Sequence, residues 1–129
     1  MMRLGISNLA IPGDAGGRVL AALHALGVAG IEVAPTRLGT WDDLTKQRLV
    51  DYRLELSDHG LVISSLQALM FGTQRLQLLG DDRAFKAMME HFRKVAWIGA
   101  TLGASVGVFG APLNRIKGEA SAASAWSLG

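Results

Sequence analysis

One unit, repeated three times, constrains this chain more than any other feature: an amphipathic helix, a glycine, then a short apolar strand. In the first copy Val19, Leu20, Leu23 and Leu26 recur at helical spacing, and Gly27 sits where a left-handed helix end belongs. The strand Gly30-Ile31-Glu32-Val33-Ala34 follows. In the second, Leu44, Leu49, Tyr52 and Leu56 form the stripe, with Thr40 as candidate N-cap, Gly60 as the stop and Leu61 to Leu66 as the strand. In the third, Asp81 or Asp82 caps a helix carrying Phe85, Met88, Met89, Phe92, Val95 and Ile98. Gly103 ends that helix, and Ser105 to Phe109 is the strand.

A further strand, Arg3 to Asn8, precedes the repeats, so the order reads βαβαβαβ. Parallel neighbours are usually joined by right-handed helical crossovers, so this order predicts a parallel α/β sheet. The Ala/Ser-rich tail from Ser121 to Leu128, anchored by Trp126, reads as the start of a fourth helix. No linker divides the chain, and residues 1–129 are expected to form a single domain.

Helix-to-strand connections are tight, whereas strand-to-helix connections are long: residues 9–13, 35–40, 68–80 and 110–118. In parallel α/β folds the loops at strand carboxyl ends form the binding face. The polar residues at those ends are Ser7, Asn8, Glu32, Gln67, Asn114 and Arg115. Glu32 stands between Ile31 and Val33, where a carboxylate is costly to bury alone. It is either a site residue on an inner face or a half-exposed strand residue paired with Arg3 or Arg37. The amides of Asn8, Gln67 and Asn114 suit the hydroxyls of a sugar or polyol, or else cap loops and turns. Arg115 and Lys117 could meet a phosphate or carboxylate, or simply face solvent.

Composition removes several classes of function. With 129 residues, half of them hydrophobic and 19% charged, the chain can bury a core. The absence of cysteine excludes disulfide frameworks, thiolate zinc sites and cysteine nucleophiles. His24, His59 and His91 all fall on helices, away from the strand ends. A net charge of +2 and 6% aromatic residues give no nucleic-acid platform. Neither a phosphate-loop motif nor a dinucleotide fingerprint is present. With no signal peptide or spanning segment legible, a cytoplasmic, membrane-free protein is expected.

Four stretches together resemble the sugar phosphate isomerase/epimerase family, the xylose isomerase-like TIM barrels. They are Leu4-Gly-Ile-Ser-Asn8, Gly30-Ile-Glu-Val-Ala-Pro-Thr-Arg37, Ser65-Leu-Gln-Ala-Leu-Met-Phe-Gly72 and Val108-Phe-Gly-Ala-Pro-Leu-Asn-Arg115. The resemblance implies the first half of a (β/α)8 barrel, since a whole one takes about 250 residues. It also implies isomerisation or epimerisation of a sugar or related polyol, with Glu32, Gln67 and Asn114 lining the substrate face. Glu32 is thus the expected catalytic residue, and Asn8, Gln67, Asn114 and Arg115 the expected substrate-binding ones. A complete barrel of the family implies a divalent metal (Mn, Mg or Zn). Its ligands come mainly from later strands, so this chain alone is expected to hold none and to be incomplete as a catalyst. The reading from a different class is a non-catalytic half-barrel or flavodoxin-like binding module.

Four strands in barrel order leave open edges and an inner face drawn from alternating members of Leu4–Asn8, Ile31–Val33 and Val62–Leu66. Self-association, or a missing carboxy-terminal half-barrel, is therefore the expected partner.

Overall fold

The computed structural model describes residues 2–128; Met1 and Gly129, the ends of the expected 1–129 unit, lie outside the described residues. The elements run β1 (Leu4–Ser7), α1 (Gly16–Ala25), β2 (Val28–Val33), α2 (Lys46–Asp58), β3 (Val62–Leu66), α3 (Asp82–Leu102) and α4 (Ala122–Leu128). Among the described residues no helix is long and apolar enough to cross a membrane.

Local chemistry accounts for the helix ends. The Asp81 carboxylate accepts the Ala84 N–H at 2.8 Å, occupying one of the first-turn donors that a helix cannot satisfy itself. At the other end of α3, Gly103 takes φ +79°, a left-handed conformation that glycine adopts without a Cβ clash. The start of α2 differs from expectation. Its cap is Thr45, whose hydroxyl accepts the Arg48 N–H at 3.3 Å, while Thr40 donates its hydroxyl to Asp43 at 2.6 Å. Leu44 and Leu49 are both buried at the two positions of a hydrophobic staple, which favours the later start.

The sheet is parallel with order β1-β2-β3, in sequence order and without the reversal that a flavodoxin-like doubly wound sheet needs. Ile31, Val33, Ile63 and Leu66 are buried in one cluster with Leu20, Leu49, Leu56, Met88 and Ile98. Helices α1, α2 and α3 therefore cover one face of the sheet.

The expected fourth strand is barely formed. Ser105–Phe109 makes one bridge, Gly107 opposite Leu66, through Leu66 N–H to Val106 O at 2.8 Å and Val108 N–H to Leu66 O at 2.9 Å. Phe109 turns to the helix side and meets Phe92 edge-on, with ring centroids 5.1 Å apart.

The other face departs from the regular alternation expected for it. Two register shifts, between Leu4/Gly5 and between Ile31/Glu32, insert an extra residue first in β2 and then in β3. The second makes Ser65, rather than Ser64, the partner of Glu32. The helix-free side of the first two strands therefore carries Gly5, Ser7, Gly30 and Glu32, not an apolar surface. A Cβ on Gly30 would come within 3.2 Å of the Ser64 Cβ, so glycine is what lets the strands approach there. The apolar part of this face is confined to Val62, Val106 and Val108, which are 60%, 58% and 52% exposed.

Candidate functional site

Ser7, Glu32 and Ser65 are register partners across three strands, at the carboxyl end of the sheet and on its helix-free face. Glu32 Oε1 accepts the Ser65 hydroxyl at 3.2 Å. Gln67, one residue past β3, donates its amide to the Ser7 hydroxyl, and its backbone N–H bonds Val33 O at 2.9 Å. Four polar side chains from three strand ends thus stand in one row, as two hydrogen-bonded pairs, Glu32 with Ser65 and Ser7 with Gln67. Half-buried and placed where β/α folds put their chemistry, the row presents a carboxylate, an amide and two hydroxyls. That set can exchange hydrogen bonds with the hydroxyls of a small polar ligand.

Through Gln67 alone of its members, the row reaches an open cleft of about 440 Å³ between the 68–80 and 110–115 loops. Gln67 and Asn114 meet there with Met70, Phe71 and Phe109. Side chains distant in sequence, one from the turn before α2 and one from α3, hold the walls. Trp41 donates its indole N–H to Phe71 O at 2.8 Å, and the His91 Nε2 lies 2.7 Å from Leu69 O. The Trp41 and His91 rings meet edge-on at 4.5 Å. His91 is thus a loop anchor on its helix flank.

The remaining candidates separate by what their polar atoms already do. Asn8 is buried, and its amide clamps Ala34 at both ends: Oδ1 accepts the Ala34 N–H at 2.9 Å and Nδ2 donates to Ala34 O at 3.3 Å. Asn114, also buried, donates to Thr73 O at 2.7 Å and to Leu76 O at 2.8 Å, lacing the two cleft loops together. Both amides are engaged with backbone. Arg115 lies with its guanidinium carbon 5.4 Å from the centre of the Phe109 ring, a cation–π contact at the cleft rim. Glu32 and Gln67 join the row, whereas Asn8 stands behind it, Asn114 stands in the cleft wall and Arg115 at its rim. Ser65 went unnoticed in the sequence; its signal was a polar Ser64-Ser65 pair inside an otherwise apolar strand.

Behind Asn8, Tyr52 of α2 is half-buried. Burial pushes its phenol above the ordinary value of 10.0, with Glu55 adding to the rise while Asn8 and Arg37 oppose it. The neutral phenol is therefore favoured by the folded chain. Its contribution to stability is complete below pH 10 and is lost as the pH rises through the folded-state value. We expect wild-type stability to fall more steeply above pH 10 than that of Tyr52→Phe in urea titrations. Parallel pH profiles for the two proteins would show that the phenol titrates in an environment like that of the unfolded chain.

No three histidine, aspartate or glutamate side chains come together among the described residues in a group able to hold a metal. Glu32 is the row's one carboxylate, so these residues do not make the cage that the resembling barrels imply.

No family profile and no curated protein matches the sequence. Among solved structures, the chain is similar to a sugar phosphate isomerase/epimerase from Parabacteroides distasonis ATCC 8503, with a TM-score of 0.63 and 20% sequence identity. The match covers 81% of this chain and 37% of that one, so this chain spans well under half of its length. Alternating strands and helices, a parallel sheet in sequence order and this likeness together give the chain the fold of the opening half of a TIM barrel.

Proposed function

We propose that the chain supplies the amino-terminal, substrate-facing part of a cytoplasmic sugar or sugar phosphate isomerase/epimerase-like barrel. The observation that carries this reading is the row Ser7–Glu32–Ser65–Gln67, set beside an open cleft at the strand carboxyl ends. In this reading Gln67 and the serines orient substrate hydroxyls. Glu32, with one oxygen engaged by Ser65, holds or accepts a substrate proton through the other. Asn8 and Asn114 act through the loops that they fasten, and Arg115 offers a cation to an anionic substituent at the rim. A manganese, magnesium or zinc ion finds no cage in these residues, and complete turnover belongs to the completed barrel. A non-catalytic sugar-binding half-barrel is the second reading, favoured by the commitment of both buried asparagine amides to backbone groups.

Saturation-transfer NMR with aldoses, ketoses, their phosphates and cyclic polyols tests the shared premise of both. Weak binding is expected, and Glu32→Gln and Gln67→Ala should each weaken it roughly tenfold, the worth of about one hydrogen bond to a charged or polar partner. Circular dichroism should show the fold intact in each variant. A folded protein that binds none of these compounds, or variants that bind as wild type does, would refute the assignment.

A further inference from the structure

The accessible surface of the chain is 8341 Å². A folded monomer of 13.7 kDa exposes about 6,600 Å², so roughly 1,700 Å² of surface is in excess. A standard interface takes about 800 Å² from each partner, and obligate ones take more. The excess is thus of the size that a permanent interface would remove.

Several observations locate where that surface belongs. The outer edge of β1 has no partner strand among the described residues, and the Ser105–Phe109 segment is paired on one side only, through a single bridge. Val62, Val106 and Val108 line the helix-free face and stand more than half exposed. Trp126 of α4 is 89% exposed. In a β/α fold the helix after a strand covers the junction with the next strand, and among the described residues no such junction lies beneath α4.

We infer that a second copy of this chain closes the open edges of this half-barrel, about a two-fold axis along the barrel. The geometry selects this occupant. β1 and the Ser105–Phe109 segment belong to one parallel sheet, so the β1 edge of one copy is a parallel partner for the Ser105–Phe109 edge of the other. The two-fold repeats that junction on the far side, and both edges of both copies close at once. The three valines of each copy then face those of its partner across the ring, and each α4 gains a strand junction to cover. The ring also gathers two Ser7–Glu32–Ser65–Gln67 rows at one end, so a site with two carboxylates draws on both copies. This inference rests on the barrel fold and not on the sugar chemistry, and its test reads mass and proximity rather than binding.

Light scattering behind a sizing column should give twice the 13.7 kDa chain mass. The Val106→Asp variant should shift that mass to one chain. Because the protein has no cysteine, Leu4→Cys and Val106→Cys can be introduced without background. A short bis-maleimide should join two chains in the double variant, where unlike edges meet. It should not do so in either single variant, whose like positions sit on opposite sides of the ring. A monodisperse monomer, an open series of larger aggregates, or efficient cross-linking of a single variant would each overturn the closed two-fold ring. A monomer that forms a one-to-one complex with a separate carboxy-terminal half-barrel would overturn it as well.

Discussion

Asn8→Ala should destabilise the protein by about 1–3 kcal/mol. The substitution removes both hydrogen bonds to Ala34 and leaves that residue's N–H without a partner in a buried setting. A buried polar group stripped of its partner costs about 1–3 kcal/mol, and the Ala34 N–H meets that penalty, while Ala34 O keeps the Arg37 N–H at 3.0 Å. Against a typical total stability of about 5–15 kcal/mol the loss is large. Because Ala34 directly follows Val33 at the end of β2, the clamp also sets where Glu32 sits relative to Ser7. Urea denaturation at one fixed protein concentration measures the effect, with an unchanged slope expected. A cost under about 1 kcal/mol would mean that the amide is not holding the strand ends together.

The second large effect is expected at Ile31, which is fully buried in the central strand and pairs with Ile6 and Ile63. Ile31→Ala should cost about 2–5 kcal/mol, the lost transfer energy plus that of the cavity left among the helices, and Ile31→Val about 1 kcal/mol. Leu54 on α2, half exposed on the outer surface, serves as the contrast: Leu54→Ala should change stability by only about 0.5 kcal/mol. Equal losses at the two positions would show that the helices cover the opposite face of the sheet from the one described.

Several elements were legible because their causes are local. Gly27, Gly60 and Gly103 take positive φ at the three helix-to-strand junctions, each where the hydrophobic periodicity stops. Asp81 caps α3 because a carboxylate one residue before a helix reaches its free N–H groups. Thr40 shows the limit of the same local reasoning. It precedes a stripe counted from Leu44, whereas Leu44 is buried ahead of the helix and Thr45, inside that stripe, is the cap. The fourth strand has the right composition, yet composition cannot supply the neighbour whose backbone would complete its ladder.

From the amino-acid order alone came the sequence of strands and helices, the parallel sheet, the end of the sheet on which the long loops lie and the position of Glu32 and Gln67 at that end. These depend on periodicity, caps and glycine conformations, which act over a few residues. Tertiary structure decided which polar atoms remain free to meet a ligand. The extra residue in β3 exchanges Ser64 for Ser65 opposite Glu32, and a bulge arises from pairing with another strand rather than from local preference. Asn8 and Asn114 likewise show the same residue type that a sugar site would use. Only the arrival of Ala34, 26 residues on, and of the Thr73 and Leu76 carbonyls turns them into clamps. A hydrogen bond is made between whichever groups the fold brings within about 3 Å, and that distance is a property of the packed chain.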